Sequence, residues 1–132
     1  MASHDDVRRI CSRLPGAIEG AGDRFGFGVM VKGKHKGFLW TWAERVDPKK
    51  GRVINDRVLA VMVPNLTAKD ALIASDPEKF FTEPHYNGFP AVLVRLPAIG
   101  AEELEELIVD AWRCQAPRGL VEAFERGEAS GT

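Results

Sequence analysis

The sequence has little cysteine, little tyrosine and no excess of either charge. Its 132 residues include two cysteines and one tyrosine, and its formal net charge is −1. Two distant cysteines do not form the disulfide framework of a small secreted domain. The N-terminus, MASHDDVRR, lacks the apolar core of a secretory signal. We therefore expect a protein of the reducing cytoplasm, in which Cys11 and Cys114 are free buried thiols.

Long hydrophobic runs are also missing. No stretch approaches the roughly 18 apolar residues that a membrane span requires, so no membrane partner is expected. Apolar residues still make up 45% of the chain, and a chain of this length can bury a core without disulfides or metal. Because no repeat or linker interrupts the pattern, we predict a single domain over residues 1–126 and a disordered tail over residues 127–132.

The apolar periodicity predicts a mixed fold. Helices are predicted over residues 3–14 and 67–75, along the stripe from Leu104 to Trp112, and briefly after Pro117. Strands are predicted over residues 25–31, 36–43, 57–63 and 91–96, and residues 44–56 form a polar connection. The order α-β-β-β-α-β-α, with a further short helix, indicates an α+β fold: a single antiparallel sheet with helices packed on one face.

The first two strands predict a hairpin with an aromatic face. A two-residue turn at Gly33 and Lys34 would place every large ring on one face of the sheet. These rings are Phe25, Phe27, Phe38, Trp40 and Trp42. Exposed aromatic rings can stack on the bases of single-stranded nucleic acid. Burial against the helices is the stronger expectation, because five exposed rings would be costly in water.

Basic residues concentrate at two predicted turns. The first turn, VKGKHKG, carries Lys32, Lys34, His35 and Lys36, and the second, KKGR, carries Lys49, Lys50 and Arg52. Residues 1–60 hold 12 Lys and Arg against 7 Asp and Glu, whereas residues 61–132 hold 6 against 12. Two basic turns that project together could straddle a nucleic-acid duplex. Alternatively, the lysines only keep the turns solvated and guard the edges of the sheet.

A polar loop precedes the last strand. In the segment FFTEPHYNGFP, the residues Glu83, His85, Tyr86 and Asn87 could form a ligand-binding loop. His85 could act there as an acid, a base or a phosphate donor. The alternative is a structural turn in which the polar side chains satisfy local backbone groups.

Other signals of chemistry are weak. The glutamates of AEELEE, residues 101–106, alternate with a buried stripe and should face water. Three histidines and two cysteines show no metal-ligand spacing, and the GFG and GAG segments lack the rest of a phosphate-binding loop. We therefore assign no catalytic residue, metal ligand or cofactor.

Several stretches resemble a known family. They are LPG at 14–16, FG at 25–26, DPEKFFTEPHYNGFPAVLVRL at 76–96 and ELIVDAWRCQAPRGL at 106–120. Together they resemble the MmcQ/YjbR family of small bacterial proteins along nearly the whole chain. The resemblance implies a CyaY-like fold, similar to bacterial frataxin, in a double-wing arrangement with DNA-binding activity. The wings would be the 31–37 hairpin and the 44–56 region.

These observations combine into one functional hypothesis and one alternative. We expect a monomer that binds duplex DNA weakly and with little sequence selectivity, through phosphate contacts from the basic residues of the two turns. His35 would donate a hydrogen bond. The alternative is a non-catalytic protein-interaction or small-ligand module that uses the 83–89 loop.

Overall fold

A computed structural model describes residues 2–20, 24–47 and 49–127 of the chain. The helices of this part are α1 (His4–Cys11), α2 (Leu66–Ser75), α3 (Ala101–Gln115) and α4 (Arg118–Glu125). The strands are β1 (Ala17–Glu19), β2 (Gly26–Val31), β3 (Lys34–Glu44), β4 (Val53–Met62), β5 (Phe80–Phe81) and β6 (Ala91–Arg95). They form one antiparallel sheet in the order β1-β2-β3-β4-β6-β5. The predicted α+β class and the order of its main elements are confirmed.

Several short elements had no prediction. The strands β1 and β5 are only three and two residues long, and 3-10 turns occupy Pro84–Tyr86 and Leu96–Ala98. Segments this short carry too few residues to show a periodicity. The predicted tail includes residues 128–132, which lie outside the described residues, as does Pro48.

The main core lies on the face of the sheet that carries α1 and α3, here called the inner face. Helix α3 packs against β2, β3 and β4, and α1 packs against α3. Trp112 is fully buried there, and its indole N–H donates to the carbonyl of Pro15 at 3.0 Å. Burying a large apolar side chain contributes about 1.5–3 kcal/mol, so this face is the main source of hydrophobic stabilisation.

The first helix begins as predicted and ends early. The Ser3 hydroxyl accepts from the amide of Asp6, and the Asp6 carboxylate accepts from the amide of Ser3, so the predicted capping box is present. The helix ends at Cys11 rather than at Leu14, because the chain turns before it reaches Pro15.

Helix α2 has an unexpected cap and an unexpected buried residue. The side chain of Asn65 accepts from the amide of Ala68, so the helix starts at Leu66, one residue before the predicted start at Thr67. Lys69 is the buried residue of this helix. Its side chain therefore belongs to the interior of the protein and not to the solvated surface.

The β2–β3 turn lies one residue earlier than predicted. Lys32 and Gly33 both have positive φ angles, 51° and 80°, as in a type I′ turn, and Val31 pairs with Lys34. A turn at Gly33 and Lys34 would have paired Val29 with Phe38, whereas the observed turn pairs Val29 with Lys36, so the predicted turn position is wrong.

A bulge at Phe38 changes the distribution of the aromatic rings. Gly28 pairs with Gly37 and Phe27 pairs with Leu39, so Phe38 is an extra residue in β3. Phe38 and Leu39 consequently both reach the inner core. Phe25 and Phe27 also pack with the inner core, whereas Trp40 and Trp42 join a second cluster on the opposite, outer face. The prediction of a single aromatic face is therefore wrong.

The β3–β4 connection is shorter than predicted. The structure extends β3 to Glu44 and begins β4 at Val53, so the loop spans residues 45–52 rather than 44–56. The register also shifts, since Thr41 pairs with Leu59 and Trp42 pairs with Asn55. Residues 53–56, which were predicted as part of the polar connection, instead begin strand β4 at an exposed end of the sheet.

Candidate nucleic-acid interface

Two turns carry the lysines that have no partner among the described residues. We call residues 32–36 the first lysine turn and residues 45–52 the second lysine turn. Within the described residues, their five ammonium groups make no ion pair and no hydrogen bond. They belong to Lys32, Lys34, Lys36, Lys49 and Lys50. Within the described residues, Arg57 is the one other Lys or Arg whose side chain makes no ion pair and no hydrogen bond.

The two lysine turns lie at opposite ends of one strand. Strand β3 starts at Lys34, beside the first turn, and ends at Glu44, beside the second. Its ten residue steps place the turns on the order of 30 Å apart, at about 3.3 Å per residue. The turns therefore do not project side by side. The predicted arrangement, in which two neighbouring turns straddle a duplex, is not present.

The first lysine turn presents its side chains on two sides. Lys36 pairs with Val29, an inner-core residue, so Lys34 and Lys36 point to the inner side of the sheet. His35 points to the outer side, where its imidazole lies over Gly28. A Cβ atom added at Gly28 would come within 2.5 Å of Cε1 of His35. His35 is exposed, but its side chain points to the face opposite that of Lys34 and Lys36.

Arg52 differs from the lysines of the second turn. Its guanidinium donates to the carbonyl of Ala43 at 2.8 Å and forms an ion pair with Glu83 at 3.5 Å. Only 27% of its side chain is exposed. Of the seven residues predicted to contact nucleic acid, Arg52 is therefore the one already held by a carboxylate.

Glu83 joins the 83–89 loop to the outer face of the sheet. Its carboxylate accepts from the indole N–H of Trp42 at 3.4 Å and from the amide of His85 at 3.1 Å. Burial alone would raise the pKa of Glu83. The two hydrogen bonds and the charge of Arg52 outweigh burial and hold this pKa below its ordinary value of 4.5. Glu83 is therefore an ionised structural anchor at neutral pH.

Other polar groups of the 83–89 loop also bond within the protein. Tyr86 is buried, and its hydroxyl accepts from the indole N–H of Trp40 at 3.0 Å. Asn87 contacts the hydroxyl of Thr82 at 3.2 Å, and His85 is exposed. Of the four predicted ligand-loop residues, Glu83 and Tyr86 are thus engaged internally, and His85 and Asn87 remain on the surface.

Lys69 fastens this loop to α2, a role that no sequence pattern predicted. The ammonium group donates to the carbonyls of Tyr86 at 2.6 Å and Phe89 at 2.9 Å. Burial lowers the pKa of Lys69 from its ordinary value of 10.5. Its neighbours Thr67, Ala68 and Asp70 are typical of a solvated helix, so no local signal indicated a buried lysine.

The two thiols are free and protonated. Cys11 is buried as predicted, and burial together with the charge of Glu19 raises its pKa to about 12. Cys114 is exposed, which corrects the prediction that both thiols are buried, and its thiol donates to the carbonyl of Asp110 at 3.2 Å. Partial burial of the sulfur and the charge of Asp110 raise its pKa too. Neither sulfur is an activated thiolate.

A membrane-spanning helix and a metal-binding cluster are both absent from the part of the chain that the structure describes. No helix among them is long and apolar enough to cross a bilayer. Residues 2–20, 24–47 and 49–127 contain no group of three His, Cys, Asp or Glu side chains that could hold a metal ion.

Comparison with solved structures identifies a similar fold. The crystal structure of DR2400 from Deinococcus radiodurans, a protein with a DUF419 domain, superimposes with a TM-score of 0.68. The match covers 98% of this chain and 92% of DR2400 at 23% sequence identity. At this identity, the similarity establishes the fold.

Comparison of sequences identifies relatives along almost the whole chain. No family model matches the sequence. The uncharacterized proteins Rv2570 of Mycobacterium tuberculosis and Mb2600 of Mycobacterium bovis are each 39% identical to it over 124 residues. These matches cover 94% of this chain and 96% of each relative. The chain therefore belongs to the protein family of Rv2570 and Mb2600, and it has the fold of the DUF419 protein DR2400.

Proposed function

We propose that this protein is a cytoplasmic member of the MmcQ/YjbR family that binds duplex DNA weakly through its backbone phosphates. The observation that supports the proposal is the group of five lysines at the two ends of β3, which lack partners within the described residues. Elsewhere, cationic side chains are mostly neutralised by carboxylates or bonded to carbonyls. Free ammonium groups on exposed turns are the groups that phosphate contacts require.

The separation of the lysine turns suits a duplex that lies along β3. Equivalent positions on B-DNA recur every 34–36 Å, about one helical turn. The distance between the lysine turns is of the same order, about 30 Å along the strand. Each turn can then approach the same side of the duplex one helical turn apart, instead of gripping it from two sides.

The proposed binding has little sequence selectivity. Base recognition in the major groove needs an exposed helix or ribbon with side chains such as Arg and Asn that reach base edges. The exposed face of α3 instead carries Glu102, Glu103 and Glu106, which DNA would repel. Lysine contacts to phosphate position a protein without reading the sequence.

A salt titration tests the proposal. We expect a 16-base-pair duplex to bind the wild-type protein at low salt, with an affinity that falls as salt rises. Replacing Lys34 and Lys36 by glutamine should weaken binding and reduce the slope of log K against log salt concentration by about 2, near 0.9 for each lost contact. Fluorescence anisotropy of labelled DNA measures both quantities.

A charge-matched control separates a site from general electrostatics. Arg118→Glu changes the net charge by −2, as the double glutamine variant does, but on α4, where Arg118 pairs with Glu122 at 2.9 Å. Arg118→Glu should leave binding within about twofold of wild type. Undetectable binding at low salt, or an equal loss in both variants, would contradict the proposal.

A further inference from the structure

The outer face of β1, β2 and β3, together with Phe89 of the 83–89 loop, carries a strip of exposed and half-buried apolar and ring side chains. Cross-strand pairing places Ile18 beside Gly28 and Met30 beside His35 on this face. The exposed fractions of Ile18, Met30 and Phe89 are 43%, 46% and 42%. We call the following residues the outer strip: Ile18, Met30, His35, Trp40 and Phe89. Such a grouping of exposed apolar side chains on one face is typical of a binding surface.

Glycines make the floor of the outer strip flat. Gly28 and Gly37 face each other across β2 and β3, and neither carries a side chain that would stand up from the sheet. The ring of His35 lies over Gly28, and the six-membered ring of Trp40 comes within 3.5 Å of the Cβ position of Gly37. A Cβ at Gly28 would collide with the imidazole and, at 2.5 Å, with the backbone carbonyl of Lys36, so glycine is needed at this position.

Hydrogen bonding and ring packing hold Trp40 in place. Its indole N–H donates to the hydroxyl of Tyr86 at 3.0 Å. Phe89 packs beside it, with ring centroids 6.5 Å apart, and also contacts Tyr86 at 6.2 Å. The rings are therefore positioned before any ligand arrives, which lowers the entropic cost of binding.

We propose that the outer strip is a stacking platform for single-stranded nucleic acid. The inference rests on the proposed function, because the lysine turns at both ends of β3 would hold the phosphates of the same strand. Bases of a single strand would stack on Trp40, Phe89 and His35 between those turns. Lys34 and Lys36 point to the inner side, so the phosphates would be held by the other turn lysines, Lys32 at one end of the strip and Lys49 and Lys50 at the other. Rings flanked by these cations match the two parts of a nucleotide, a flat apolar base and an anionic phosphate.

A single strand fits this surface better than a duplex does. Paired bases keep their flat faces inside the helical stack, so a duplex can offer only phosphates to the lysine turns. A single strand offers phosphates and base faces together. It should therefore bind more tightly than a duplex of equal length at the same salt concentration, by at least about fivefold if one base stacks.

The test compares two oligonucleotides and three kinds of variant. Binding of a labelled 16-nucleotide oligothymidylate and of a 16-base-pair duplex is measured by anisotropy at one low salt concentration. Phe89→Ala should weaken single-strand binding at least about fivefold and leave duplex binding within about twofold. Ile54→Ala is the matched control, because Ile54 is also 42% exposed but pairs with Ala43 on the other face of β4. The Lys32→Gln and Lys49→Gln double variant, which removes one cation from each end of the strip, should weaken the binding of both oligonucleotides.

Tryptophan emission reports stacking directly. Trp112 is fully buried and Trp42 is 9% exposed, so a stacked base can quench mainly Trp40. Oligothymidylate should quench the emission of the wild-type protein, and Trp40→Phe should abolish most of that quenching. If Phe89→Ala does not fold, His35→Ala at the exposed end of the strip replaces it, with the same expected loss of single-strand affinity.

Failure of this inference can be told apart from failure of the proposed function. One outcome overturns the platform and leaves the duplex proposal intact. In that outcome the two oligonucleotides bind equally, Phe89→Ala does not change their binding, and loss of the lysines weakens it. Absence of binding to either oligonucleotide overturns both. A wild-type dimer in sedimentation analysis that Phe89→Ala converts into a monomer would show that a second copy covers the outer strip, and would also overturn the platform.

Discussion

The two faces of the sheet differ in the interactions that their side chains make. The inner face buries aliphatic side chains and Trp112 beneath α1 and α3, with hydrophobic packing as the main source of stability. The outer face carries Trp40, Trp42 and Tyr86, each with a polar group that needs a hydrogen-bond partner. The comparison indicates that the inner face stabilises the fold, whereas the outer face positions rings and charges near solvent.

The largest difference between the faces should appear at Trp112. Replacing this residue by alanine creates a cavity beneath the sheet and leaves the carbonyl of Pro15 without its donor. The free energy of unfolding should fall by about 3–5 kcal/mol. Urea denaturation followed by circular dichroism measures it, and Leu66→Ala on the exposed surface of α2 should change it by less than about 0.5 kcal/mol. A loss below 1 kcal/mol at Trp112 would contradict the assignment of the inner face as the main core.

The next largest effect concerns the anchor of the outer loop. Lys69→Met leaves the carbonyls of Tyr86 and Phe89 without their donor, and the free energy of unfolding should fall by about 1–3 kcal/mol. Thr67→Met, at an exposed position of the same helix, is the control and should have little effect. An equal loss in both variants would mean that α2 tolerates methionine poorly and that the anchor contributes nothing specific.

The difference in free energy of unfolding between the wild-type protein and Lys69→Met should change with pH in one direction. Burial lowers the pKa of the folded lysine below 10.5, so near that pH the unfolded chain binds more protons than the folded one. The wild-type protein should therefore gain stability relative to Lys69→Met as pH rises from the lower, folded pKa of Lys69 toward 10.5. A difference between the two proteins that does not change with pH would contradict the shift.

The sequence predicted the inner face better than the outer face. Helical periodicity identified the stripe from Leu104 to Trp112, because packing on a sheet requires apolar residues every three or four positions. The outer face depends on one extra residue in β3, Phe38, which moves Trp40 and Trp42 to the side opposite Phe27. A bulge leaves no signature in an alternating pattern, so the pattern predicts all the rings on one face of the sheet.

The candidate site was predicted in part, and for a physical reason. The lysines at residues 32–36 and at 49 and 50 are exposed, as solvated charges on turns should be. The partnership of Arg52 with Glu83 joins residues 31 positions apart in the chain, and no local pattern encodes it. Sequence therefore identified which groups are charged, but not which of them the fold neutralises.

A smaller loss of stability is expected at the β2–β3 turn, which sets the register of the two strands. Gly33 has a φ of 80°, a region that a residue with a Cβ atom enters at a cost of about 1–2 kcal/mol, so Gly33→Ala should destabilise the protein by that amount. Gly51→Ala is the control, because Gly51 has no positive φ and open space around it. Its effect should be near zero or slightly stabilising. Equal effects of the two substitutions in urea denaturation would contradict the turn type.

The smallest effect should come from the ion pair at the edge of the outer face. Hydrogen bonds and Arg52 hold the pKa of Glu83 below 4.5, so its contribution to stability is complete above that pH and disappears as pH falls through the lower, folded value. Glu83→Gln should lower the free energy of unfolding by about 0.5–1 kcal/mol at pH 7, and the two proteins should converge once pH has fallen below the folded pKa of Glu83. Glu106→Gln, on the exposed face of α3, should match wild type at both pH values. Convergence at high rather than low pH would show that a different group is responsible, because an acid with a lowered folded pKa stabilises the protein only while it is ionised.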